Sequence, residues 1–224
     1  MTETRSTFAT FARLTLAAAF PVALVIARSL YAREITATFL IWNLFLAWLP
    51  LLFAALAIWV ERRSLLLAIL PAAAWLAFLP NAPYLVTDLM HLAADSRVPV
   101  LFDTVMLFTF ALYGLALGLV SLRWMQSAVA RRWGRWLGWG FVLGTLGAAG
   151  FGIYLGRYVR WNSWDLITRP ELLLQDVLVR LVNPIQHWHT WAMTALFAGL
   201  LVFTYWLLTV LARAGSSVPG DGAR

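Results

Sequence analysis

The stretch LLLAILPAAAWLAFLPNAPYLVTDLMHLAAD, residues 65–95, decides how this chain is read. An apolar run ends at Pro80-Asn81-Ala82-Pro83, and a shorter polar-striped segment follows. The striped part is expected to be a helix that starts at Pro83, a favoured first-turn residue, with Asn81 as its cap. At about 100° per residue, Tyr84, Thr87, Asp88, His91 and Asp95 then share one narrow face. Leu85, Val86, Leu89, Met90 and Leu92 cover the remainder.

Lengths give this break its meaning. Residues 65–79 make roughly 22 Å of helix, against a hydrocarbon core of roughly 30 Å. The run is therefore expected to end at membrane depth, where irregular backbone is tolerated only inside protein or along a wet cavity. The plainer alternative is a turn at the interface. The striped part, roughly 18 Å long, is too short to span and is expected to be interfacial or re-entrant. It shows two carboxylates and a histidine where an interfacial helix usually shows Lys or Arg. A face turned to a protein cavity fits better.

Composition settles the class. The chain has 224 residues, 62% hydrophobic and 12% charged, with mean hydropathy +0.78. Soluble domains carry about 25% charge. The fold class is therefore all-α: a polytopic membrane helix bundle of about six transmembrane helices, with short interfacial or re-entrant helices in the outer loops. One transmembrane domain over residues 1–213 and a disordered tail over 214–224 are expected. The chain has no cysteine, which excludes disulfides and thiolate metal sites. All 17 basic residues are arginines, and many end hydrophobic runs. Topology explains them better than a nucleic-acid partner. The lipid bilayer is the expected partner.

The spans read as residues 14–27, 38–60, 65–79, 100–122, 136–156 and 191–212. A polar leader, 2–13, precedes the first. That span is read as retained, since no small-x-small cleavage site follows it. Gly114 and Gly118 suit close helix packing, as do the many glycines of the fifth span. Residues 123–135 read as a basic loop, with Trp124, Trp133, Trp136 and Trp139 as an interfacial belt. Six spans put both termini on one side with ten of the 17 arginines. The positive-inside rule makes that side cytoplasmic.

The same topology puts residues 156–189 outside, with the Asp88/His91 stripe. Arg157 and Arg160 are helically spaced and suited to one anionic partner. Thr168-Arg169-Pro170-Glu171 has capping-box spacing and starts an apolar helix, 171–182, that packs along the interface. His187-Trp188-His189 leads into the last span.

FLPNAPYLVTDLMHL and GIYLGRYVRWNSWDLITRP resemble the two most characteristic segments of a bacterial multi-spanning family, domain-of-unknown-function 1361. The resemblance covers most of the chain, from the second span to the sixth. It implies a bacterial integral membrane protein of unassigned role, expected in the inner membrane, and it brings no catalytic residues with it.

The candidate site has Asp88 and His91 as an acid/base pair, with Asn81, Tyr84, Thr87, Arg157, Arg160, Asn162 and Asp165 as ligand-binding residues. The ligand would be anionic or a lipid headgroup. Asp88 and His91 with His187, His189 or Asp165 are the metal alternative, but no metal signature is present and no cofactor is identified. The competing readings are a small transporter with a discontinuous third span, and a scaffold in which Asp88 merely pairs with Arg157 or Arg160.

Overall fold

The computed structural model describes residues 2–35, 37–92 and 98–216, with side chains from residue 9 to residue 214 of that set. Asp95 and the tail beyond residue 216 lie outside the described residues. The described chain is helical, without strands, and forms two compact units, Met1–Gly134 and Arg135–Arg224. Six helical stretches are long and apolar enough to cross a membrane: Ala9–Ala32, Thr38–Glu61, Leu65–His91, Val100–Trp133, Arg135–Val159 and Trp188–Ala214. This is a multi-pass membrane fold.

Unit 1 contains α1 (Thr2–Ala32), α2 (Thr38–Glu61), α3 (Leu65–Phe78), α4 (Asn81–Tyr84), a 3₁₀ segment (Leu85–His91) and α5 (Val100–Trp133). α5 packs against α1, α2, α4 and the 3₁₀ segment. Leu40, Leu44, Ala47 and Leu51 recur at helical spacing along α2 and are buried with Phe110 and Leu117 of α5. Opposite faces are equally apolar, such as Leu66 and Leu70 on α3, because lipid rather than water meets them. With no hydrophobic gain between helices in lipid, shape and hydrogen bonds hold them together. Trp75 Nε1 donates to Ser121 Oγ at 3.1 Å, and Tyr113 OH donates to the Leu14 carbonyl at 2.7 Å. These tie α3 and α1 to α5.

Three expectations change. The leader 2–13 is part of α1, so the first helix begins well before its apolar core. The basic loop 123–135 does not form: α5 runs 34 residues, about 51 Å, and only Gly134 at φ 92° separates it from the next helix. Arginines and alanines there sustain a helix that outruns the bilayer. Of its tryptophans, Trp136 is exposed, whereas Trp124 turns inward against the Phe11 ring at 5.6 Å.

The third change concerns residues 65–91. The span does not stop at Leu79; it continues as 27 helical residues to His91, long enough to cross the hydrocarbon core. Pro80 (φ −58°, ψ −26°) and Leu85 (φ −55°, ψ −24°) keep right-handed helical dihedrals. The prolines remove N–H donors and the hydrogen-bond pattern shifts, but the backbone does not become irregular. Ala82 N–H bonds Leu79 O at 3.2 Å and Tyr84 N–H bonds Pro80 O at 3.0 Å. Asn81 Nδ2 donates to Phe78 O at 2.9 Å. Asn81 thus satisfies the carbonyl end of α3 and is not the cap of a new helix at Pro83.

Unit 2 contains α6 (Arg135–Tyr154), which continues as a π-helical segment (Leu155–Val159), then α7 (Asp165–Thr168), α8 (Pro170–Val182) and α9 (Trp188–Ser216). α6 packs along α9. Of the fifth-span glycines, Gly150 marks the close approach: an added Cβ would lie 2.7 Å from Thr194 O and 2.9 Å from Ala198 N. Gly140, Gly144 and Gly147 have open space at that position.

Candidate functional site

At one end of unit 1, α1 finishes, α2 begins, the 3₁₀ segment finishes and α5 begins. Asn43, Asp88, His91, Arg28 and Asp103 stand at or near that end. A 3₁₀ helix turns 120° per residue, so positions three apart are eclipsed. The row Ala82, Leu85, Asp88 is buried, and Asp88 is only 1% exposed. In α-helical phase Asp88 falls on the polar stripe and Leu85 about 60° away, outside it; the tighter turn puts both on the same inward row.

That row seats on the glycine pair of α5. A Cβ on Gly114 would lie 2.3 Å from Ala82 O and 2.6 Å from Leu85 Cδ1; one on Gly118 would lie 3.0 Å from Ala82 Cβ. The small pair read from the sequence thus receives the proline turn itself. Beyond this seat, Asp88 Oδ2 accepts from Asn43 Nδ2 of α2 at 2.9 Å. His91 is exposed, its ring edge-on to Phe39 at 5.3 Å. Thr87 Oγ1 donates to Tyr84 O at 2.6 Å, and both residues are half-buried, as is Asn81.

A second carboxylate at this end went unassigned in the sequence reading. Arg28 Nε donates to Asp103 Oδ1 at 2.8 Å and Nη2 to Oδ2 at 3.2 Å, with both side chains over nine-tenths buried. The fork joins the C-terminal part of α1 to the first turn of α5. The available signal was Asp103 inside the run 100–122 and Arg28 directly after the run 14–27. Separation by 75 positions hid the partnership.

In unit 2, the polar residues stand in the connection between α6 and α9. The π segment ends at Arg160, in left-handed geometry (φ 68°, ψ 30°). This breaks the α-helical spacing expected to align Arg157 with Arg160: Arg157 is half-buried in the π turn, and Arg160 is exposed after it. Asn162 is also exposed. Asp165 is buried and organises the loop. Its Oδ2 accepts from Asn162 N–H at 2.8 Å, and its Oδ1 from Arg169 Nε at 3.1 Å and Nη2 at 2.9 Å. The Asn162 N–H, followed by the Arg169 guanidinium and Thr168 hydroxyl, holds its carboxyl below the ordinary 3.8 despite burial. Asp176 accepts from Trp161 Nε1 at 2.7 Å and pairs with Arg180. Arg169 also lies over the Trp161 ring at 5.6 Å.

The sequence-predicted residues fall into two sets. Asn81, Tyr84, Thr87, Asp88 and His91 belong to unit 1; Arg157, Arg160, Asn162 and Asp165 belong to unit 2. Among the described residues, no group of three or more His, Asp or Glu side chains is placed to hold a metal ion. His189 stacks against Trp188, with ring centroids 3.7 Å apart.

No curated protein and no solved structure matches this chain. A family model does, over residues 42–204, which takes in α3 through α8 whole, with Asn43, Asp88, Asp103 and Arg157, and leaves out Arg28. The chain belongs to the family described as protein of unknown function (DUF1361).

Proposed function

We propose that this membrane protein binds an anionic ligand, a lipid headgroup or a free phosphate or carboxylate, through the connection between α6 and α9. One observation carries the reading: the local charge around Arg160. Its guanidinium is exposed and makes no hydrogen bond or ion pair among the described residues. Two carboxylates of the same connection are already engaged, Asp165 by Arg169 and Asp176 by Arg180. A guanidinium left in this state offers its planar fork to a phosphate or carboxylate. Arg157 and Asn162 flank it in sequence and supply further donors. The arginine distribution supports an outward orientation of this connection in a bacterial inner membrane. His91, exposed at the polar end of unit 1, is the group suited to acid/base work near neutral pH.

The test is binding of inorganic phosphate, and of phosphatidylglycerol diluted into phosphatidylcholine nanodiscs, read by intrinsic tryptophan fluorescence. Arg160→Asn is the variant of choice, because Asn tolerates positive φ. A charge-assisted hydrogen bond is worth about 1.5–3 kcal/mol, so affinity should fall about tenfold or more. Unchanged binding of both probes in Arg160→Asn and Arg157→Gln would overturn the reading.

The burial of Asp88 and of the Arg28–Asp103 fork favours a second reading for unit 1, in which its polar end only locks helices together. Asp88→Asn then lowers the amount of folded protein in the membrane and leaves phosphate binding intact.

A further inference from the structure

α8 is turned inside out. At 100° per residue, Asp176, Arg180, Leu173 and Val177 share one side. These four are half-buried, and that side carries the Asp176–Arg180 pair, the Trp161 bond and a bond from Trp191 Nε1 to Arg180 O at 3.3 Å. No α8 residue is fully buried. The opposite side presents Leu174, Leu178, Leu181 and Val182, and the next turn adds Ile185, all between 46% and 89% exposed. Glu171 and Gln175 interrupt this outward side only in its first half.

An isolated helix in water would show the reverse arrangement, with the ion pair outside. Thirteen residues, about 20 Å, cannot span a bilayer. The helix also lies in the connection between two spans, whose own outward residues, such as Leu143 on α6 and Leu196 on α9, are apolar and exposed. We infer that α8 lies at the margin of the bilayer, its Glu171 end at headgroup level and its Leu178–Ile185 end among acyl chains. The inference rests on the membrane fold and not on anion binding at Arg160. It also explains the ion pair: a charge near hydrocarbon is kept only when neutralised, and Arg180 at the deeper end is paired and turned inward. The outward side carries no cation, so hydrophobic area alone seats it.

The chain's lack of cysteine makes the test direct. Nitroxide labels on Gln175→Cys, Leu178→Cys, Val182→Cys and Ile185→Cys, in the full chain in phosphatidylcholine nanodiscs, are probed with oxygen and with a water-soluble nickel chelate. Labels at 182 and 185 should favour oxygen, and the label at 175 should favour nickel. Nickel-dominated collisions at 182 and 185 would put that face in water, and protection from both would put it against protein; either overturns the inference. So would oxygen exposure that appears only when anionic lipid is added. In the unsubstituted protein, a phospholipid with an acyl-chain diazirine should label residues 178–185 and spare 171–175; the absence of adducts in 178–185 overturns it as well.

Discussion

Unit 1 buries two carboxylates between helices, Asp88 held by Asn43 and Asp103 by Arg28. Unit 2 keeps Asp165 and Asp176 in a connection beside its spans, each paired with an arginine four positions on. The chemistry is similar and the energetic position is not. Between helices in a membrane, a charge has no water to fall back on, so its partner is obligatory. Beside the spans, the Arg169 side chain is 59% exposed, so water can take its place when it is lost, and Asp165 keeps the Asn162 N–H. Polar residues in unit 1 therefore specify which helices meet. Those in unit 2 shape a loop and leave Arg160 without a local counter-ion.

The largest effect that would break this contrast concerns the buried fork. Removing one partner of a buried ion pair costs about 3–5 kcal/mol, because the other charge stays buried alone. Arg28→Ala and Asp103→Ala should each lose about that much in equilibrium unfolding in mixed micelles. Arg169→Ala, at the mostly exposed partner of Asp165, should lose about 1 kcal/mol or less. The double replacement Arg28→Met with Asp103→Leu should recover most of the loss, since neither charge is then stranded. Equal losses for Arg28→Ala and Arg169→Ala would erase the distinction between the units.

Glycines sharpen the same contrast at a smaller scale. In Gly114→Ala the new methyl meets the Ala82 carbonyl at 2.3 Å, a backbone atom that cannot swing aside. The proline turn must shift off α5, at about 1–3 kcal/mol. Gly150→Ala meets Thr194 O at 2.7 Å and should cost a similar or slightly smaller amount. Gly144→Ala meets nothing within 4 Å and should raise stability by up to about 1 kcal/mol through helix propensity. Thermal unfolding of the three variants checks the order.

Much of this architecture was legible in the residues. Long apolar runs gave the spans, because one composition must serve both the lipid face and the packed face. Gly114 and Gly118 announced a close contact, though not that the partner was the turn at Pro80–Pro83. What escaped had three physical causes. The Arg28–Asp103 bond is long-range, and nothing local in either run names the other. The phase of residues 85–91 depends on a choice between 100° and 120° per residue, and that choice moved Asp88 from a polar stripe to the buried row. The arginines of residues 123–135 suggested a loop, but charge at a membrane surface also suits a helix that has left the hydrocarbon, as α5 does. In unit 2, the expected alignment of Arg157 with Arg160 rests on a helical spacing that the π turn does not keep.

Acid should loosen unit 2's connection locally. Asp165 titrates below its ordinary 3.8 in the folded chain, chiefly through the Asn162 N–H. A depressed carboxyl stabilises the fold above its unfolded value, and that contribution disappears as pH falls through the folded value. Hydrogen exchange of residues 161–169 should therefore stay slow at pH 5 and above, after correction for intrinsic rates, and accelerate below about pH 4. In Asp165→Asn the same amides should be loose at every pH. A transition that survives the substitution would assign the acid sensitivity to another group.

The smallest effect compares two arginines in one backbone state. Arg33 (φ 55°) ends α1, where Glu34 N–H reaches back to Ser29 O at 3.2 Å and Arg33 N–H to Leu30 O at 3.4 Å, the pattern of a left-handed helix end. Arg160 (φ 68°) ends the π segment, and the return bond from Trp161 N–H to Leu155 O, 3.1 Å, spans one residue more, as the wider turn requires. Glycine takes positive φ without the Cβ penalty, so Arg33→Gly and Arg160→Gly should each raise stability, by about 0.5–1 kcal/mol. If Arg160 is kept for its cation, only Arg160→Gly should also weaken phosphate binding. Retained binding in Arg160→Gly, beside a matching gain in stability, would reduce Arg160 to a helix end like Arg33 and move the anion site elsewhere in the connection.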